Sequence, residues 1–394
     1  MSSTSTDVLA GESAQATTAL RQLSVVVFLG FLTMGLPIAV LPRHVSGALG
    51  FGATVVGIVM GAQSVVTLLT RQLGGSLADT RGGREIVRKG LLVCAASGLI
   101  YWVSLLPLLP HTASLLVLLT GRALLGLGES LLITAATAWG IGAVGSARGG
   151  RVIAWSGIAM YAAMAIGAPA GALLNERFGF AGVALASVAA PLLAAVLTMS
   201  WQAVPASSQP RLPFLRVLRL VWLPGVGVAA ATCGFALLVA FVSLLFAEKQ
   251  WVHPALALTL FGAAYIGVRL VLGGMPDRFG GARPAMISLV VETIGQLLLW
   301  QAPHESWALV GATLTGAGFS LIVPSFGVEV VRRVPASSRG SAFGAFIAFW
   351  DLTMGLAAPL AAIAVSTTYS TVFLVGAAGA AAGFLIAALL ARRA

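Results

Sequence analysis

The stretch Gly74-Gly75-Ser76-Leu77-Ala78-Asp79-Thr80-Arg81-Gly82-Gly83-Arg84 concentrates charge and glycine between two long apolar runs. A second copy stands far downstream as Gly273-Gly274-Met275-Pro276-Asp277-Arg278-Phe279-Gly280-Gly281-Ala282-Arg283. With a shift of 198 positions, Arg71, Gly75, Asp79, Gly82 and Gly83 fall on Arg269, Gly273, Asp277, Gly280 and Gly281. Self-similarity on this scale means that one structural plan is used twice. Each half carries its charged hairpin between its second and third apolar segments.

The surroundings of the hairpins set the class. The chain has 394 residues, of which 58% are hydrophobic and 9% charged, and its mean hydropathy is +0.98. A soluble domain carries roughly 25% charged residues, so this chain lacks the polar surface to face water all round. A membrane-spanning helix needs about 20 mainly apolar residues. Twelve such runs are present, at 20–43, 53–77, 86–108, 112–142, 151–174, 180–201, 217–247, 254–275, 284–302, 306–331, 341–366 and 370–391. Tilts, kinks or interfacial ends accommodate the longer ones. The expected fold is an all-α polytopic membrane protein with twelve spans in two pseudo-symmetric six-helix bundles, and repeated halves are a common plan among secondary transporters.

A net charge of +11 could suggest nucleic acid as a partner, but its distribution argues against that. The basic residues collect in alternate loops: Arg81, Arg84, Arg88 and Lys89 in the first hairpin, Arg211, Arg216 and Arg219 in the centre, Arg332, Arg333 and Arg339 later. Arg71 and Arg269 stand at the adjoining ends of their spans, while the opposite loops hold only Arg43, Arg177 and Lys249. The positive-inside bias then places both termini and the central linker in the cytoplasm. Residues 1–18 have the composition of a disordered tail and lack the features of a signal peptide. The domain plan is therefore a tail at 1–18, a first bundle at 19–201, a Pro/Ser-rich linker at 202–215 and a second bundle at 216–394.

Several chemistries find no support. Cys94 and Cys233 lie in separate spans without disulfide or metal spacing and read as small apolar fillers. His44, His111, His253 and His304 fall in outward loops. No phosphate-binding G-x-x-x-x-G-K-[ST] loop exists, and no nucleophile–base pair or metal constellation stands beside a span. An enzyme, a metal site and a cofactor are all unexpected.

Charges inside the spans are the functional candidates, because each costs at least roughly 2.5–3.5 kcal/mol at the bilayer centre. They are Arg122, Glu129, Glu292 and Asp351. Arg122 and Glu129 lie two turns apart on one helical face, roughly 10 Å along the axis, too far to pair directly. Asp351 sits near mid-membrane beside Trp350. A carboxylate desolvated at that depth can take up and release a proton near neutral pH. Glu129 and Asp351 are the protonation candidates, with Arg122 biasing their charge or holding an anion. Glu292 reads as structural, and Glu329 as the partner of nearby basic residues.

The first hairpin, with Gly75-Ser76-Leu77-Ala78-Asp79 followed by Gly82 and Arg84, resembles the loop signature of the major facilitator superfamily. It departs from that signature at Thr80 and Gly83, where basic residues are usual; the second copy has Arg278 after Asp277 and Gly280 beyond it. Arg122-x-x-x-Gly126-x-Gly128 is similar to the signature of the fourth helix. Gly35-Leu36-Pro37 and Leu69-Thr70-Arg71 look closest to the proton-antiporting drug and sugar-efflux branch, whose members include arabinose-efflux-type permeases. The resemblance covers residues 20–391.

That resemblance implies a proton-coupled secondary transporter that exports small amphipathic compounds by alternating access, monomeric in a bacterial cytoplasmic membrane. A sugar or small-metabolite permease, working as exporter or symporter, is the alternative, and a non-transporting receptor of the same fold is a third reading. It also implies that spans 1, 4, 7 and 10 line a central cavity while spans 2, 5, 8 and 11 form the moving interface. Met34, Trp139, Phe235, Phe319, Ser320 and Phe326 are then candidates for the lining, an aromatic surface suited to an amphipathic cargo. Asp79 and Asp277, at helix ends, can accept bonds from the N-termini of spans 11 and 5, where the helix dipole favours anions. Together with Gly75, Gly82, Arg84, Arg278 and Gly280 they form a candidate latch that closes the cytoplasmic mouth.

Overall fold

The structure is a computed structural model that describes residues 3–145, 149–202, 214–334, 339–363 and 368–392. Side chains are described from Ala16 onward, apart from Asp79, residues 214–217 and residues 339–341 within the helices. The described residues are almost entirely helical. In the first half α1 is Ser3–Gly35, α2 Leu41–Arg43, α3 Ala53–Arg81, α4 Gly83–Val103, α5 His111–Val144 and α6 Gly149–Leu197. In the second half α7 is Phe214–Glu248, α8 Pro254–Leu272, α9 Met275–Phe279, α10 Ala282–Gln301, α11 Glu305–Phe319, α12 Ile322–Val331, α13 Arg339–Ile363 and α14 Thr371–Arg392.

Eleven helices among the described residues are long and apolar enough to cross a membrane, against twelve expected runs. The difference lies in α6. A helix of 49 residues at about 1.5 Å per residue would run to more than twice a bilayer core of about 30 Å. Gly179 interrupts it with φ 65 and ψ −172, outside helical geometry. The sixth expected run begins at the next residue, Phe180. A second difference concerns the amino terminus: α1 begins at Ser3, so the segment expected as a disordered tail continues the first span as helix. Ala10, Glu12, Ala14, Gln15 and Ala16 are good helix formers, and elongating an existing helix avoids the cost of nucleation. The linker at 203–213 lies outside the described residues.

Prolines shape the spans, and at three of them a substitute donor meets the freed carbonyl. A proline removes the amide that would bond the carbonyl four residues earlier, and in a membrane that carbonyl must find another donor. Pro191 frees the Ser187 carbonyl, which accepts from Thr33 Oγ1 at 3.4 Å. Pro169 frees the Ala165 carbonyl, which accepts from Thr259 Oγ1 of α8 at 2.9 Å. Pro324 frees the Ser320 carbonyl between α11 and α12, and Arg269 Nη1 donates to it at 2.8 Å. At Pro37 the chain leaves α1 through turns at 36–40 before α2 and the π turn His44–Ala48.

Two bundles result. In the first, α1 packs on α6, α4 on α5 and α3 on α5; in the second, α7 packs on α13 and α14, α10 on α11 and α14, and α8 on α11. Two large contacts join them: α3 against α13, and α6 against α8. These correspond to spans 2, 11, 5 and 8, the interface that the resemblance implies. Glycines let the backbones meet. A Cβ on Gly57 would lie 2.8 Å from Pro359 Cα, and one on Gly61 would overlap the Gly355 carbonyl oxygen. Leu99, Ile166, Leu193 and Ile363 are exposed on outer helix faces, where an apolar surface of this extent needs lipid to cover it.

Both hairpins turn through a glycine with positive φ, Gly82 at 89 and Gly280 at 79. The two are equivalent in the repeat, and only glycine enters that region without a Cβ penalty.

Candidate functional site

Arg71 on α3 reaches across the bundle interface to Asp351 on α13. Its Nη2 lies 2.6 Å from Asp351 Oδ2, and its Nε donates to the same oxygen at 2.7 Å. Asp351 is fully buried, whereas the Arg71 side chain keeps 21% of its surface exposed. Both donors converge on one oxygen, so Oδ1 is left without a hydrogen bond, as is the neighbouring Trp350 Nε1. The sequence placed Arg71 only at the end of a span. Its equivalence to Arg269 in the repeat was the one signal that set it apart from topology-setting arginines.

Glu129 on α5 projects toward the same place. Its Oε2 accepts from Gln63 Nε2 of α3, and the residue is 9% exposed. Arg71, Asp351 and Arg122 are the charged groups that act on it, and the Cys94 thiol of α4 also feels its charge. Arg122 is buried and directed elsewhere: Nε donates to the Val59 carbonyl at 3.0 Å and Nη2 to the Met60 carbonyl at 2.9 Å. Arg122 therefore acts on Glu129 through its charge and forms no ion pair with it. It ties α5 to the backbone of α3, and Arg71 stands in the position beside the carboxylates.

A cavity of about 280 Å³ opens between the bundles toward their hairpin end. Its charged lining is Arg71, Glu129 and Arg269; Thr134, Thr137 and Ser156 add hydroxyls, and Tyr161, Tyr265 and Trp350 add rings. Lining residues come from α3, α5, α6, α8, α12 and α13. Spans 1 and 7 do not reach it, contrary to what the resemblance implies. On the far side the bundles are closed by the Gly61–Gly355 approach and by an aromatic cluster. In that cluster Phe235 stacks on Phe261 at 4.9 Å and on Phe319 at 5.1 Å, and Tyr161 stacks on Tyr265 at 3.7 Å.

This explains why the expected aromatic lining is misplaced in the present conformation. Phe235, Phe319, Ser320 and Phe326 are buried and absent from the cavity wall. Phe235 and Phe319 form the closed side, and Ser320 Oγ donates to the Tyr265 carbonyl at 2.7 Å. Met34 borders a separate narrow crevice with Glu129 and Gln63. Trp139 is a packing residue at the hairpin end of α5, stacked on Trp201 at 3.9 Å, with Nε1 donating to the Gln202 carbonyl at 2.9 Å.

Of the hairpin residues expected to form the latch, Asp277, Arg278 and Arg84 have described side chains. Asp277 is exposed and forms no hydrogen bond or ion pair among the described residues; Arg278 is exposed beside it. The Asp79 side chain lies outside the described residues, as does Arg148, and Gly75 lies within α3. Arg84 Nη1 donates to the Trp201 carbonyl at 2.7 Å, which fixes the first hairpin to its own bundle. Near the hairpin end of α4, Lys89 Nζ donates to Glu85 Oε1 at 2.6 Å.

Two further acids resolve as expected in part. Glu329 pairs with Arg333 at 2.8 Å and Arg332 at 3.4 Å. Glu292 is fully buried in the second bundle, and neither of its oxygens has a hydrogen-bond partner. Among the described residues no cluster of His, Cys, Asp and Glu could hold a metal ion.

The family described as the Major Facilitator Superfamily matches residues 23–251 and 225–394. An uncharacterized MFS-type transporter of Salmonella typhimurium is 44% identical over 378 residues, covering 95% of this chain and 97% of the relative. Another, from Burkholderia pseudomallei, is 41% identical over 396 residues, covering 100% of this chain and 97% of the relative. Among solved structures, the nucleoside transporter NupG superposes with a TM-score of 0.75 at 15% identity, over 94% of this chain and 99% of that one. The human organic anion transporter MFSD10 gives 0.73 at 14%, over 94% and 99%. At such identities the likeness is one of fold.

Proposed function

The chain belongs to the major facilitator superfamily, and from that premise we propose that it is a proton-coupled secondary transporter that exports small amphipathic compounds. The observation that carries the proposal is the placement of Glu129 and Arg71 on one cavity between the two bundles, with Arg71 paired to the buried Asp351 behind the wall. Asp351 and Arg71 belong to different bundles, so a proton on Asp351 removes an attraction that spans the moving interface. Glu129 faces Gln63 and Arg71 from α3, Cys94 from α4, Arg122 from its own helix and Asp351 from α13. Its charge state sets the net charge of the cavity that receives the cargo. Proton binding and bundle movement are then linked through the same few side chains, which is what coupling requires.

With positive-inside loops placing the termini in the cytoplasm, the cavity faces inward and the far side is shut. This is the inward-facing arrangement, in which Asp277 of the second hairpin is exposed. Closure of the Asp79 and Asp277 latches stabilises the outward-facing state. The setting is the cytoplasmic membrane of a bacterium, with the protein acting as a monomer.

Export in exchange for protons is the reading that the efflux-branch resemblance supports. Inward co-transport with a proton is the second: Arg269 forms no ion pair among the described residues, so a proton on Glu129 and an anion at Arg269 could be carried together. The test is flux in proteoliposomes under an imposed pH gradient. Uptake of cargo against its gradient into acid-loaded vesicles supports exchange; accumulation with the inward proton gradient supports co-transport. Full gradient-driven activity in both Glu129→Gln and Asp351→Asn rules out the proton role.

A further inference from the structure

We propose that the cavity selects a small organic anion, whose carboxylate or phosphate meets Arg269 while its apolar body lies against Tyr161, Tyr265 and Trp350. This rests on the transport reading above and names its cargo; it holds for either direction of movement.

Arg71 and Arg269 are equivalent in the repeat, but their surroundings differ. Arg71 is neutralised by Asp351 at 2.6 Å. Arg269 donates one amino group to the Ser320 carbonyl at 2.8 Å and forms no ion pair among the described residues. A carbonyl satisfies a hydrogen bond and leaves the charge uncompensated. A guanidinium has five donors in a fixed fork matched to carboxylate and phosphate geometry, so its remaining edge is available to an anion. Pro324 is what makes this arrangement possible, because the carbonyl that orients Arg269 is the one it frees from the helix.

The electrostatic sum points the same way. With Arg71 cancelled by Asp351, the wall retains Arg269 and Glu129. When Glu129 carries a proton the cavity is positive, and when it is ionised the cavity is balanced. With Glu129 protonated, a cationic cargo would meet only Arg269, at low dielectric where repulsion is strong. An anion finds its partner in that state.

Space is provided beside Arg269. A Cβ on Gly157 would lie 3.8 Å from Arg269 Nη2 and 3.9 Å from the Tyr265 hydroxyl, so the glycine leaves room at the donor edge. The guanidinium carbon is 5.9 Å from the centre of the Tyr265 ring, which stacks in turn on Tyr161. Ile133, Met160 and Ile347 complete an apolar wall. A volume of about 280 Å³ is at the lower end of ligand cavities and suits a single-ring or short-chain acid.

The test is a thermal-shift titration of the purified full-length protein in a non-ionic detergent. Phenylacetate, phenyl phosphate and phenethylammonium serve as size-matched probes. The expected result is that at least one anion binds about ten-fold or more tightly than the cation. Arg269→Gln should abolish that preference, Arg269→Lys should keep part of it, and Gly157→Val should weaken every aryl probe. Phenethylammonium binding as tightly as the anions, anion binding unchanged in Arg269→Gln, or binding by none of the probes would overturn the proposal. If Arg269→Gln does not fold, the comparison of anion and cation on the native protein decides. No pH gradient is present in this assay, so the outcome is independent of proton coupling. Gradient-driven flux of a cation, with no anion binding, would preserve the transport reading and reject this one.

Discussion

Arg71 and Asp351 are 280 positions apart in the chain and 2.6 Å apart in space, joined across the two bundles at the boundary between closed far side and open cavity. Neither residue belongs to a hairpin, and each comes from one of the two helices that form the larger interbundle contact. The pair is asymmetric: the carboxylate is buried and the guanidinium is partly wet.

That asymmetry makes the single substitutions unequal. Arg71→Leu leaves a buried carboxylate without its counter-ion and is expected to cost about 3–5 kcal/mol. Asp351→Asn leaves an arginine that can turn toward the cavity, and should cost less. The double variant Arg71→Leu/Asp351→Leu is expected to recover most of the stability while losing proton coupling. Thermal unfolding of the four purified proteins measures the first part, and proteoliposome flux the second.

Glu129→Gln is expected to abolish transport driven by a pH gradient while preserving cargo exchange at equal pH on both sides. Amide and acid have similar shapes, and Gln63 can still bond to the replacement. A variant that loses exchange together with gradient-driven flux would assign Glu129 to cargo binding or to folding.

The latch has its own expected signature. Asp277→Asn removes a negative charge that is exposed and has no partner among the described residues, so the stability of this arrangement should change by no more than about 0.5 kcal/mol. The closed cytoplasmic mouth should lose population instead. Labelling of cysteines engineered at that mouth is expected to rise, with turnover reduced. Unchanged labelling would remove the hairpin aspartate from the gate.

Gly61→Val tests the seal on the far side. A Cβ at this position overlaps the Gly355 carbonyl oxygen, and backbone in a packed interface yields little. The bundles should separate there, giving greater access for a water-soluble thiol reagent to a cysteine placed at Ala358. Equal access in the variant and the parent would show that the seal lies elsewhere.

Much of this was legible in the sequence because lipid leaves few options. Backbone groups must be satisfied internally, so long apolar runs become helices, and the repeated hairpins show that those helices form two like halves. Gly82 and Gly280 were visible as equivalents before their shared positive φ was. The pairing of Arg71 with Asp351 was hidden, since no pattern in one chain says which ends of distant helices meet. Depth in a span marked Arg122 as a charge that needs partners, but not that two backbone carbonyls of α3 would meet that need. The aromatic residues of spans 7 and 10 could not be divided between wall and seal from composition, because the division depends on which face of the protein is open.

The central claim is that protonation of the Glu129 and Asp351 cluster moves the two bundles about the shared cavity. It is tested most directly by distances between spin labels, in a background with Cys94 and Cys233 replaced by alanine. One pair, at Thr80 and Phe279, reports on the hairpin face, and a second, at Leu108 and Val252, on the far face. On lowering the pH, the first distance should shorten as the second lengthens, with both changes lost in Glu129→Gln/Asp351→Asn. Distances at both faces that stay fixed across pH, or that shift identically in the double variant, would contradict it.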